Sequence, residues 1–196
     1  MTSIMNSITD AATIADPAGG TPPAAAATEI VDTKLLRRAF ATFATGVTVV
    51  TTGGDTPHGM TANAFASLSL DPPLVLICVD RDALMHRNLL AAGAFGVSVL
   101  AAHQEGVARH FADRWRPLGL AQFDAVDWRP GPCTGAPMIE GAMAHFECEL
   151  WRSYDGGDHS IFIGRLVSLG RQADDALLFV HGRFRRLGPE RSEATA

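Results

Sequence analysis

Asp158 and His159 follow two glycines in the stretch DGGDHSIFIGR (155–165). A histidine just past a glycine turn, at the mouth of a strand, can hydrogen-bond a substrate or move a proton near neutral pH. It can equally be a structural or solvated turn residue. Arg165, further along the same strand, can hold a phosphate or carboxylate, or simply face outward as a strand cation. A second stretch, HGMTANAFASLSLDPPLVLICV (58–79), carries Thr61, Asn63, Ser67 and Ser69 on one strand parity, with Ala62, Ala64, Ala66, Leu68 and Leu70 on the other. Hydroxyls and an amide at alternate positions can hydrogen-bond a polar ligand lying along the strand. The bland alternative is a face that meets water. Phe65 in the same row suits an aromatic ring better than solvent. A third stretch, VDRDALMHRN (79–88), joins a strand end to a helix start. Free N–H groups there, with Arg81, His86 and Arg87 nearby, suit an anion; an ordinary surface helix capped by Asp82 is the other reading.

Other chemistries find little support. His103, Glu105 and His110 lack the i, i+4 histidine spacing of a helical zinc motif, and no serine sits in a GxSxG context. The three cysteines, Cys78, Cys133 and Cys148, are far apart and form no CxxC. Cys78 and Cys148 fall in apolar strands and read as buried thiols. Cys133 is a loop thiol with no obvious base.

The elements that must position these residues are mostly strands. VDTKLLRRAFATFATG places Leu35, Leu36, Ala39, Phe40 and Phe43 on one helical stripe, with Asp32 or Thr33 as cap and Gly46 as stop. VTVVTT (47–52) is a β-branched strand, followed by a GGDTPHG turn, the polar strand, an Asp-Pro-Pro turn and a buried strand at 74–79. A helix is expected at 82–93, with Asp82 as N-cap and Gly93 past its end. A strand follows at 94–100 and a helix at 101–113. Residues 114–140 are rich in Pro and Gly and read as a long ordered loop. AMAHFECELW (142–151) alternates, so that Ala142, Ala144, Phe146, Cys148 and Leu150 point one way and His145, Glu147 and Glu149 the other. SIFIGRLVSLG and ALLFVHGRFRRL complete the sheet. With no regular βαβ alternation, an antiparallel barrel or sandwich with flanking helices is the expected class.

The chain has 196 residues, 47% of them hydrophobic, enough for one domain with a core. Residues 1–30 have no aromatic, Lys or Arg and read as a disordered tail; 31–188 read as the folded domain and 189–196 as a flexible C-terminal tail. The net charge of −5 carries no basic footprint, so no nucleic-acid partner is expected. No apolar run reaches the ~20 residues of a membrane span. Without the basic start and apolar block of a secretory signal, a cytoplasmic location is expected.

Taken in order, FATGVTVVTT, HGMTANAFASLSLDPPLVLICVD, AFGVSVL, GAPMIEGAMAHFECEL, GGDHSIFIGRLVSL and LLFVHGRFRRL closely resemble the short-chain flavin reductase family over about residues 34–187. The T-A-N-x-F-x-S-x-S-L-x-P-P and G-D-H blocks are the specific parts. The resemblance implies a split β-barrel that binds FMN or FAD at a homodimer interface. It also implies NADH or NADPH as co-substrate and a flavin-dependent monooxygenase served by diffusible reduced flavin. On that likeness Gly59, Met60, Thr61, Ala62, Asn63, Ala64 and Ser67 lie along the flavin. Cys78, Val79, Asp80 and Arg81 lie around its polar chain, and His159, Gly164 and Arg165 near the nicotinamide, with His159 the catalytic candidate. The alternative is the same barrel as a non-catalytic flavin carrier. The chain departs from the family pattern at Ala64, where Ser or Thr is usual, at Asp82 or Ala83 in the helix start, and at VHGRF (180–184), where YxGRY is familiar.

Overall fold

A computed structural model describes residues 32–188. Both tails assigned from sequence, 1–30 and 189–196, lie outside the described residues. The elements in order are α1 (Thr33–Phe40), β1 (Thr45–Gly46), β2 (Thr48–Thr52), β3 (His58–Ala62), β4 (Phe65–Leu70), β5 (Pro73–Asp80) and α2 (Leu84–Ala92). There follow β6 (Ala94–Val99), α3 (Glu105–Ala112), a 3-10 helix (Gly119–Phe123), β7 (Trp128–Pro130), β8 (Pro137–Ile139), β9 (Ala144–Gly156), β10 (His159–Arg171), β11 (Leu177–Val180) and β12 (Arg183–Arg186).

Seven strands form one antiparallel sheet in the order β3-β2-β6-β9-β10-β5-β4. Its two outermost strands, β3 and β4, are consecutive in the chain and separated only by Asn63 and Ala64. The single extended segment 58–70 therefore pairs with β2 through its first half and with β5 through its second, which curls the sheet into the expected split β-barrel. Val50, Ile77, Phe95, Val97, Cys148 and Phe162 fill the interior. A second core lies outside, where Val47 and the β2 residue Val49 meet Leu100, Phe111, Phe123, Ile139 and Leu177. Strand β2 is buried on both faces, which explains its unbroken β-branched run.

Several local expectations are corrected. Asp32 does cap α1, accepting from the N–H groups of Lys34 (2.8 Å) and Leu35 (3.2 Å). The helix nevertheless stops at Phe40, where the Ala41, Thr42 and Phe43 amides tighten onto Arg37, Ala39 and Phe40 carbonyls. Its apolar stripe meets no core among the described residues, and Leu35, Phe40 and Phe43 are exposed there. Helix α2 begins after Ala83 rather than Asp82, because the Asp80 carboxylate takes the Asp82 N–H at 2.8 Å. Gly93 ends it in the left-handed conformation (φ 63°), as expected. Helix α3 is shorter than the expected 101–113, and the 114–140 segment contains a 3-10 helix and the β7–β8 hairpin. Glu147, placed by alternation on the face opposite Phe146 and Cys148, is only 3% exposed. The loop before β8 folds over it, and its carboxylate accepts from the Cys133 N–H (2.9 Å), the Thr134 N–H (2.7 Å) and the Thr134 hydroxyl (2.8 Å). The C-terminal strands do not extend the barrel. They form a separate three-stranded sheet, β1-β11-β12, whose His181–Gly182 turn has two positive φ angles and in which Phe184 packs on Phe179.

Candidate functional site

Strand β5 organises the site. On one side β4 pairs with it, and the Ala64 carbonyl accepts from the Cys78 N–H at 3.1 Å. On the other side β10 pairs with it, matching Ile161 to Cys78 and His159 to Asp80. Neighbouring strands lie about 4.8 Å apart, so β4 and β10 bracket a strip ~10 Å wide at the carboxyl end of β5. Among the described residues β4 pairs only with β5, and the backbone groups of its other edge have no strand partner there. Asn63, Ala64, Ala66 and Ser67 are exposed there. Small side chains beside an unpaired edge of donors and acceptors fit a flat, polar-rimmed ring such as an isoalloxazine.

The structure divides the polar block in two. Gly59 and Ala62 are buried, and Met60 packs half-buried against the barrel core. The Gly59 N–H donates to Gln122 Oε1 (2.8 Å), and its carbonyl accepts from Arg116. The Thr61 hydroxyl donates to the Ala108 carbonyl of α3 (2.7 Å), and the Ala62 carbonyl accepts from Thr48 (2.8 Å). Residues 59–62 are thus tied into packing, while Asn63, Ala64 and Ser67 face out. Phe65, whose partner across the ladder is the buried Ile77, stacks on Phe146 at 5.7 Å within the barrel. It is half-buried and packs against the barrel core.

On β5, Val79 is buried in the core and Cys78 is half-buried, its thiol pushed above the ordinary range by burial. Cys148 is fully buried, and burial, then the nearby Glu147, raise its thiol to about 12. Neither thiol supplies a thiolate at neutral pH. Gly164 lies inside the barrel, where a Cβ would stand 2.5 Å from the Phe95 ring and 2.7 Å from Cys148 Cβ. Its requirement is close packing. Arg165 is exposed and ion-paired to Glu149 at 2.6 Å.

The β9–β10 tip carries the titratable groups. His159 Nδ1 lies 2.7 Å from Asp158 Oδ1, and this contact holds the Asp158 carboxyl below its usual range. With Nδ1 engaged by Asp158, Nε2 is the ring nitrogen left for a ligand. Arg81 makes an ion pair with Asp155 at 2.8 Å, and its backbone N–H donates to the Asp158 carbonyl at 3.0 Å. A cavity of about 330 Å³ opens beside it, lined by Arg81, His86, Tyr154, Asp155, Ser160 and Phe162. In it His86 Nε2 lies 2.9 Å from the Ser160 hydroxyl. Sequence reading missed this cavity and the grip of Arg81 on the tip. The ladder register that aligns residue 80 with residue 159 leaves no signal at that separation in sequence.

Comparison with known proteins agrees with this architecture. Residues 40–188 match the flavin reductase like domain. The chain is 56% identical over 179 residues to an NADH-dependent FAD reductase of Streptomyces globisporus, covering 89% of this chain and 96% of that protein. It is 42% identical to an NADH-dependent flavin reductase of Rhodococcus sp, over 78% and 85% of the two chains. Among solved structures, the Streptomyces globisporus NADH:FAD oxidoreductase in complex with NAD and FAD fragments superposes with a TM-score of 0.78 at 55% identity, over 82% of this chain and 96% of that one. The flavin reductase component of a bacterial two-component tryptophan halogenase gives 0.78 at 59% identity, over 82% and 100%. A free strand edge and a histidine-bearing tip on opposite sides of one strand, carried by a split barrel with these relatives, place the chain in the flavin reductase-like family.

Proposed function

We propose that this chain is an NADH-dependent flavin reductase that passes a hydride from the nicotinamide to FAD or FMN and releases the reduced flavin to a partner flavin-dependent monooxygenase or halogenase. The observation that carries this reading is the arrangement around β5: an open, small-residue edge on β4 and the Asp158–His159 pair on β10, held in register by one strand. The relatives named for NADH-dependent flavin reduction, similar over most of the chain, support the chemistry and favour NADH over NADPH.

The flavin supplies the hydride acceptor when bound. The protein binds, orients and excludes water. The Asn63 amide, the Ser67 hydroxyl and the β4 backbone edge orient the polar rim of the ring. His159, fixed through Nδ1 by Asp158, presents Nε2 to the nicotinamide. Its role is to hold the two reactants at reactive distance, the proximity contribution to catalysis. Apolar side chains on β4 (Leu68, Leu70), β9 (Trp151, Tyr154) and β10 (Val167, Leu169) are exposed on the same sheet. A second copy of the chain covers them in a homodimer, since apolar surface of this extent marks an interface. Among the described residues no helix is long and apolar enough to cross a membrane.

The test follows nicotinamide absorbance with NADH or NADPH, each with FAD, FMN or no flavin. Oxidation of NADH that saturates with added flavin is the expected result. Flavin binding without oxidation of either nicotinamide would instead make the chain a flavin carrier.

A further inference from the structure

Arg81 grips the β9–β10 tip at three points. Its backbone N–H donates to the Asp158 carbonyl (3.0 Å), its Nε donates to the His159 carbonyl (3.5 Å), and its Nη2 pairs with Asp155 Oδ2 (2.8 Å). Asp155 is itself held, because its Oδ1 accepts from the Gly157 N–H at 2.9 Å. The contacts therefore fall on both sides of the Gly156–Gly157 turn, where Gly157 takes φ 80°. Two glycines give such a turn wide conformational freedom. Fixing its two flanks to the end of β5 removes that freedom from the segment that carries His159. The guanidinium fork uses two separate nitrogens for this, a geometry that a lysine ammonium does not reproduce.

We propose that Arg81 and Asp155 form a positioning pair that holds the tip, and with it His159, in place for the nicotinamide step, and that Arg81 is not a ligand of the flavin phosphate. The proposal rests on the reading of His159 as the group facing the nicotinamide. The resemblance to flavin reductases assigns Arg81 to the flavin's polar chain; its observed partners assign it to the hairpin. Both members of the pair are substantially exposed, 45% and 76% by side chain, and exposed ion pairs add little to stability. Their effect is on geometry.

The test compares full-length Arg81→Lys, Asp155→Asn, His159→Ala and the double variant Asp155→Asn/His159→Ala. Flavin affinity is read from quenching of FAD fluorescence without nicotinamide, and hydride transfer from single-turnover loss of flavin absorbance on mixing with NADH. Thermal melts show that each variant is folded. Arg81→Lys and Asp155→Asn are expected to slow hydride transfer about ten-fold or more, with flavin affinity unchanged. The double variant is expected to be no slower than His159→Ala alone, because the pair acts through that residue. Additive losses in the double variant, or weaker flavin binding with unchanged hydride transfer, would overturn the proposal. Full activity in Arg81→Lys and Asp155→Asn beside a slow His159→Ala would remove the pair and keep His159. A fully active His159→Ala would remove both.

Discussion

Strands β3 (HGMTA) and β4 (FASLSL) are halves of one extended segment, with Thr61 of the first and Ser67 and Ser69 of the second on the same strand parity. Their surroundings are opposite. Strand β3 is overlaid by α3, the 3-10 helix and the Arg116 side chain from the segment between them: Ala108 of α3 takes the Thr61 hydroxyl, Gln122 takes the Gly59 N–H, and Arg116 donates to the Gly59 carbonyl. Among the described residues strand β4 has β5 on one side and an open edge on the other. Strand parity decides which side chains share a face, but the elements packed on that face decide whether it binds the protein or a ligand. The T-A-N-x-F-x-S-x-S block is thus half scaffold and half candidate site.

The largest effect that would sharpen this contrast is at Gly59. A Cβ there would stand 2.6 Å and 2.8 Å from atoms of the Phe111 ring, which is 1% exposed and wedged against Phe123. Gly59→Ala is expected to cost about 2–3 kcal/mol by overpacking, measured by urea unfolding. A neutral result would show that α3 is not firmly seated on β3, and the division between the two halves would weaken.

The same buried half makes stability depend on pH. His58 is 6% exposed, its Nδ1 has no hydrogen-bond partner, and Arg116 lies against its Nε2 at 3.4 Å. Burial first, then the Arg116 charge, lower its pKa from 6.5 to about 4. The unfolded chain therefore binds the proton that the folded chain refuses between those values. Stability from this group is complete above about pH 6.5 and falls as the pH drops toward 4. The expected loss between pH 7 and 5 is about 2 kcal/mol. In His58→Leu that portion of the slope should disappear from unfolding curves; an unchanged slope would place the titration elsewhere.

The barrel was legible in sequence because its strands announce themselves. The β-branched run of β2, the Asp-Pro-Pro turn and the G-D-H tip each carry a local signal. What sequence could not show came from contacts between distant segments. Glu147 keeps strict alternation and is still buried, because the 131–135 loop closes over it. Phe65 sits in a polar row and packs against the core, because its ladder partner is Ile77. The stripe of α1 reads as a core face, yet none of its residues is buried among the described residues. In the site, the positions 59–67 formed one block in sequence, and only the register of β4 on β5 and of β3 under α3 divides them.

The subtlest test pairs Thr61 with Ser67, two hydroxyls in the same polar block and on opposite sides of the divide. Thr61→Val removes the part-buried hydrogen bond from the β3 hydroxyl to the Ala108 carbonyl of α3. The expected cost is about 1 kcal/mol of stability with flavin affinity unchanged. Ser67 is exposed and has no hydrogen-bond partner through its side chain among the described residues. Ser67→Ala should leave unfolding within about 0.5 kcal/mol of the parent. If its hydroxyl meets the flavin rim, losing one hydrogen bond worth about 1 kcal/mol weakens flavin binding by roughly five-fold. Fluorescence titration with FAD and urea unfolding on the same two variants read both effects. Crossed outcomes, with stability moving only in Thr61→Val and affinity only in Ser67→Ala, locate the boundary between scaffold and site at Asn63. Affinity lost equally in both variants would instead return Thr61 to the flavin surface and extend the site along the whole segment.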